Sequence, residues 1–238
     1  MIRHLVITGF LFLVLTSYGQ APPEEENRSY RSLFGEKYTE ALDYLSGQSR
    51  MSETLDARGI SPAFAKALVF PEVIRYSAIR DRLEMHGLIT LYVQYGSAYS
   101  DFSVGRFQMK PSFAVQVEKD AKKLPADRKT MLGEVDTSDT PQARLARIQR
   151  LDSQEWQLQY LIGFIDIMDQ RYGNAFETDN QEKLRFYATA YNCGYAKTET
   201  AIRKKMKESH FHTALLRSDV CYNYSDIALE FYTRMPVK

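Results

Sequence analysis

The chain has 238 residues, 44% of them hydrophobic and 26% charged, with 31 Lys and Arg against 30 Asp and Glu. That composition belongs to a globular protein with enough apolar material for a sizeable core, and it excludes a disordered or fibrous chain. A formal net charge of +1 supplies no broad basic field of the kind that holds nucleic acid through its phosphates, so no nucleic-acid partner is expected.

Arg3 and His4 precede an apolar run from Leu5 to Leu15, and Ser17 and Gly19 follow at the spacing a signal peptidase reads. The run is too short to cross a bilayer, which takes about 20 apolar residues. Residues 1–19 therefore read as a cleaved export signal, which predicts a periplasmic or secreted protein with no transmembrane segment in the mature chain. No Cys stands just after the run, which argues against a lipid anchor there. Residues 20–29, rich in Pro and Glu, have too little apolar surface to fold and read as a disordered tether. Residues 30–238 show no internal boundary and read as one domain.

From Tyr30 onward most segments carry the three-to-four-residue apolar spacing of helices. Ser61 and Pro62 supply an N-cap and a first-turn proline for a helix through Phe64, Ala67, Leu68 and Phe70. Thr140 and Pro141 repeat the device ahead of Leu145 and Ile148. Ser153 is placed to cap a helix with the stripe Leu158, Leu161, Ile162, Ile165 and Met168. Asn180 opens another through Leu184, Ala188 and Tyr191, with Gly194 as its C-cap. Two stretches depart from this pattern. Tyr99–Phe107 alternates like a small β-hairpin, and Leu124–Thr140, polar and containing Pro125 and Gly133, reads as a surface excursion or lid. The fold class is mainly α.

Phosphate-cradling loops, nucleophile elbows, paired CxxC and H-E-x-x-H motifs are absent from the sequence. His210 and His212 lack an obvious third ligand, so no metal site is expected and both read as solvated or core histidines. Cys193 and Cys221 leave two readings open, one disulfide or two separate buried thiols. Carboxylate chemistry remains. Glu72 lies in Phe70-Pro71-Glu72-Val73-Ile74, one acid among apolar neighbours, and desolvation there raises its pKa and keeps it a proton donor near neutrality. Pro71 is expected to kink or end the helix beside it. The competing reading makes Glu72 the first turn of a new helix, where an acid only complements the dipole. Glu84, among Arg80, Arg82 and His86, reads as a second candidate on a solvated helix face.

Gly105-Arg106-Phe107-Gln108-Met109-Lys110-Pro111-Ser112-Phe113-Ala114 resembles the Gly-Leu-Met-Gln-Ile-Met-Pro-Ser-Thr-Ala signature of bacterial lytic transglycosylases, matching it at Gly105, Gln108, Pro111, Ser112 and Ala114. Ala188-Thr189-Ala190-Tyr191-Asn192-Cys193-Gly194 resembles the family's Ala-x-Ala-Tyr-Asn-x-Gly motif. Glu72, Gln108 and Tyr191 also follow one another in the family's order, and the resemblance spans Ser61 to Tyr195. Val73 stands where the family usually has Ser after the catalytic Glu. The resemblance implies a lysozyme-like fold with a small β-hairpin region beside a cleft, and cleavage of the β-1,4 bond between N-acetylmuramic acid and N-acetylglucosamine in peptidoglycan glycan strands. It implies Glu72 as the single acid and base, giving 1,6-anhydro products, with Gln108, Tyr191 and Asn192 contacting the sugar and no cofactor required.

Two alternatives are carried beside this one. Asp101, in the expected hairpin, would serve as a second carboxylate in a hydrolytic muramidase, although Asp is also an ordinary turn residue. A protein of the same fold without catalysis would bind glycan or dock an envelope protein. Tyr99 is expected to stack on sugar, while Tyr92 and Tyr95 are expected to pack. The basic run Arg203–Lys207 reads as a solvated helix face.

Overall fold

The structure is a computed structural model that describes residues 29–77, 82–176, 180–213 and 220–235. The expected export signal, and the tether except for Ser29, lie outside the described residues. Ser29 is no tether residue. Its Oγ accepts from the Arg31 amide (3.2 Å) as the N-cap of α1 (Tyr30–Phe34) and donates to Glu230 Oε1 at 2.9 Å.

The chain continues through α2 (Glu36–Ser46), α3 (Ser49–Ala57), α4 (Pro62–Ser77), α5 (Arg82–Tyr95), α6 (Pro111–Ala121), α7 (Pro141–Asp152), α8 (Gln154–Tyr172), α9 (Asn180–Cys193), α10 (Glu199–Lys205) and α11 (Tyr224–Arg234). Helix starts follow the local chemistry of the sequence. Ser61 Oγ accepts from the Phe64 amide, Thr140 Oγ1 from Ala143 and Ser153 Oγ from Trp156, each satisfying one otherwise orphaned first-turn donor. Gly194, at φ +96°, ends α9 in the conformation that glycine adopts without strain. Among the described residues no helix is long and apolar enough to cross a membrane.

α4 is the axis of one half of the molecule, packed against α2, α9 and α11. It continues through Pro71 to Ser77, so the helix does not end beside Glu72. A proline inside a helix costs about 3 kcal/mol, and the tertiary contacts of this helix outweigh it: Ala67, Leu68, Phe70 and Ile74 are fully buried. Phe70 stacks on Phe231 of α11 at 4.2 Å between ring centroids. In the other half α8 packs on α6 and α7, and Phe164 of α8 meets Tyr187, Tyr191 and Tyr195 edge-on. That aromatic column joins α8 to α9.

One loop expectation is corrected, and a second is narrowed to its surface reading. No sheet forms among the described residues; in place of a hairpin over Tyr99–Phe107 there is one antiparallel bridge, Val104 to Met109. The segment 124–140 is fastened down rather than lid-like. It holds two 3-10 turns, Ala126–Arg128 and Met131–Glu134, and Leu132 is fully buried. A Cβ on Gly163 of α8 would stand 2.8 Å from Leu132 Cδ1, so the missing side chain makes room for the turn. Arg128 pairs with the buried Asp166 at 3.0 Å.

Candidate active site

The middle of α4, the turn before α6 and the end of α9 converge on a cleft of about 530 Å³, and the segment at His210 closes one side of it. Glu72, Gln108, Tyr191 and Asn192, far apart in sequence, all line this cleft. Residues 124–140 contribute nothing to its walls.

Glu72 sits inside α4 rather than at a helix start, which removes the reading of it as a dipole-complementing first-turn acid. It is 3% exposed. Burial pushes its carboxyl up to about 7, against the opposing pull of Arg75, a hydrogen bond with the Asn192 side chain and the charge of Lys110. Arg75 Nη2 stands 2.8 Å from Glu72 Oε2, off the line a hydrogen bond needs. Glu72 Oε2 is buried without a hydrogen-bond partner, and so is Arg75 Nε. A carboxyl so placed keeps its proton into the neutral range. Val73, its neighbour, is buried in the core.

The turn carrying Gln108 is built from outside itself. Gln157 Oε1 of α8 accepts from the Phe107 amide at 2.9 Å, and Tyr191 Oη donates to the Phe107 carbonyl at 2.8 Å. With both backbone groups of Phe107 held, the next residue is fixed: Gln108 takes φ +49°, an uncommon conformation for a side-chain-bearing residue. Its Nε2 donates back to the Gly105 carbonyl at 2.9 Å. Gly105 is at φ +69° and a Cβ there would lie 1.3 Å from Gln157 Nε2, so only glycine fits. Burial, and then the Glu72 charge, hold the Tyr191 phenol well above its ordinary range; it stays a neutral donor. Tyr191 thus positions the Gln108 turn, and Asn192 is the residue of that pair which reaches Glu72.

Other expectations are placed differently. Asp101 lines the cleft, but its two oxygens accept from the Ser112 amide (3.0 Å) and Ser112 Oγ (2.8 Å). It caps the first turn of α6 from a distance, which is its turn-residue role rather than that of a free second carboxylate. Tyr99 is 73% exposed and outside the cleft, its ring against Tyr95 at 5.3 Å; Tyr95, expected to pack, is exposed as well. Tyr92 is buried as expected, its hydroxyl accepting from Arg147. Cys193 and Cys221 are both free thiols. They face different surroundings, Cys193 the cleft wall and Cys221 the His212 ring, with Sγ 3.4 Å from Nε2. The side chain of Glu84 lies outside the described residues. Arg203 and Lys205 pair with Glu182, Glu199 and Glu208 on the α10 face.

The cleft residues that escaped the sequence reading include Arg75 and His210. Arg75 is three residues after Glu72, a spacing that places both on one helix face, and this was the signal that could have found it. His210, expected to be solvated or in the core, lines the cleft with both ring nitrogens buried and without hydrogen-bond partners. Nothing local to its sequence indicates that position. Comparison with known protein families, curated proteins and solved structures returned no match.

Proposed function

We propose that the protein is an exported peptidoglycan lytic transglycosylase of lysozyme-like fold. The observation that carries this reading is Glu72: one carboxyl, buried in the wall of an open cleft and held near pKa 7, with Gln108 and Asn192 beside it. Protonated, it donates to the leaving O4 of N-acetylglucosamine as the bond from muramic acid C1 breaks. The muramic 6-hydroxyl then attacks C1 and its proton returns to the Glu72 carboxylate, giving a 1,6-anhydro end without consuming water. General acid help of this kind is worth about 10²–10⁴ in rate. Neither a metal nor an organic cofactor is needed.

Incubating the chain with purified sacculi and weighing the released fragments by mass spectrometry tests it. Anhydro-ended fragments are expected, reduced at least about 100-fold in Glu72→Gln. Reducing ends from the wild-type chain would replace this reading with hydrolysis. One observation favours a second reading, a glycan-binding protein without catalysis: Arg75 beside Glu72 opposes protonation. Sacculi bound but left intact would establish it.

A further inference from the structure

Among the described residues the buried side-chain atoms without hydrogen-bond partners are Tyr44 Oη, Arg147 Nη2, Glu72 Oε2, Arg75 Nε and the two ring nitrogens of His210. The last four lie on residues that line one cleft. Buried polar atoms are nearly always satisfied in native proteins, so such a concentration marks where a ligand supplies the missing partners. We infer that Arg75 and His210 form an oxyanion subsite that takes the free carboxylate of an acidic amino sugar, on the ring whose glycosidic bond lies over Glu72. This rests on the glycan-cleaving reading and names which glycan is preferred.

The chemistry of the donors selects an anion. Arg Nε only donates, and a histidine ring carries at least one N–H. A planar guanidinium also suits a carboxylate better than a single hydroxyl. Both groups are preset. The Arg75 guanidinium lies over the Phe211 ring at 5.5 Å, and one of its Nη2 hydrogens reaches Ser103 Oγ at 3.2 Å. His210 precedes Phe211, whose amide and carbonyl pair with Tyr222 at 3.0 and 2.9 Å, so ring and guanidinium are fixed by the same anchor. When Glu72 carries its proton, Arg75 loses its counter-charge. The other acid of the cleft, Asp101, is already held by Ser112 and faces Lys110 at 4.0 Å. A substrate carboxylate arriving at Arg75 replaces the Glu72 charge and, as a nearby anion, favours the protonated form that Glu72 needs for donation. Arg75 lies one helical turn from Glu72, a separation of about 5–6 Å between Cβ atoms, comparable to the reach of a lactyl group from its own ring. A stem peptide joined to that lactyl group converts the carboxylate into an amide. The subsite therefore selects strands from which an amide-hydrolysing reaction has already removed the stems.

The test uses the full chain carrying Glu72→Gln, to prevent turnover, and two strands of alternating N-acetylglucosamine and N-acetylmuramic acid of equal length. One has free lactyl carboxylates and the other has them as N-methylamides, with affinity read by titration calorimetry. The acidic strand is expected to bind about tenfold more tightly, as one desolvated charge-assisted contact provides. Adding Arg75→Gln or His210→Gln brings the two strands to equal affinity, and an unchanged circular dichroism spectrum and melting profile show that each variant is folded. Arg75→Lys, which keeps the charge without the fork, retains part of it. Equal affinity of the two strands in the Glu72→Gln chain overturns the subsite and leaves the glycan-cleaving reading standing. A preference that survives both substitutions overturns it too. Failure of both strands to bind overturns the glycan reading, and the subsite falls with it.

Discussion

Glu72 and Glu118 are both buried glutamates on helices, 3% and 0% exposed, and they are treated in opposite ways. Glu118 of α6 has every oxygen engaged: Oε2 accepts from Arg147 Nε at 2.9 Å, and Oε1 accepts from Arg150 Nη2 at 3.0 Å and from Tyr160 Oη. Arg147, fully buried itself, also donates to Tyr92 Oη. Glu72 has one guanidinium out of hydrogen-bonding line, one amide and a cleft. Burial alone therefore does not make an acid reactive. A surround that fully compensates the charge turns a buried carboxylate into scaffold, and one that compensates it partly leaves a proton to exchange with a ligand.

Removing one partner from the compensated cluster should have the largest effect on stability. Glu118→Ala leaves Arg147 buried without a counter-ion and should cost about 3–5 kcal/mol in urea unfolding. Replacing Glu118 and Arg147 together with Leu and Met should recover most of that. A cost below about 1 kcal/mol for Glu118→Ala would show that water or neighbouring groups already satisfy Arg147, and the contrast between the two glutamates would weaken.

The uncompensated acid should behave in the reverse sense. Its native pKa of about 7 exceeds the ordinary 4.5, so between those values the folded chain holds a proton that the unfolded chain has released. The stability associated with that proton is complete below about pH 4.5, falls as pH rises, and is gone above about pH 7. There it amounts to a deficit on the order of 3 kcal/mol. Glu72→Gln removes the titration. The variant is expected to be more stable than wild type at pH 8 by up to that amount and equal to it near pH 4.5, as read by denaturant midpoints at both pH values. Cleavage by the wild type should decline above about pH 7, as the acid form is lost. A variant no more stable at pH 8 than wild type would place the Glu72 carboxyl in the ordinary range.

A smaller effect separates positioning from catalysis. Tyr191→Phe leaves the Phe107 carbonyl without its donor and should cost about 1–2 kcal/mol. It should lower kcat on sacculi through a looser Gln108 turn, with the pH profile unmoved because Glu72 keeps its surroundings. A shifted profile would mean that Tyr191 acts on the acid directly.

What could be read from the chain was whatever chemistry is local. The caps at Ser61, Thr140 and Ser153 and the glycine stop at Gly194 are short-range hydrogen-bonding and conformational preferences, and each begins or ends its helix as expected. The convergence of Glu72, Gln108, Tyr191 and Asn192 was legible only through a resemblance, since nothing in periodicity brings α4, the 105–108 turn and α9 together. The alternation in Tyr99–Phe107 misled because the turn is held by Gln157 and Tyr191 from other helices, not by strand pairing, and because Asp101 is engaged with α6. The helix end that Pro71 suggested does not occur for a related reason: local propensity is overruled by the packing of α4 on three sides. His210 was invisible because its place depends on the pairing of Phe211 with Tyr222, eleven residues further along the chain.

Tyr224 opens α11 with its hydroxyl on the Leu68 carbonyl at 2.9 Å, one turn behind Glu72, and the Glu72 charge acts on its phenol. The rear wall of the acid is thus delivered by α11, the last helix among the described residues. Until that helix docks, water reaches the carboxyl from behind and the proton leaves at ordinary acidity. Under the proposed function, a chain still crossing a membrane N-terminus first would lack its acid, and the chemistry would switch on only once emergence and folding were complete.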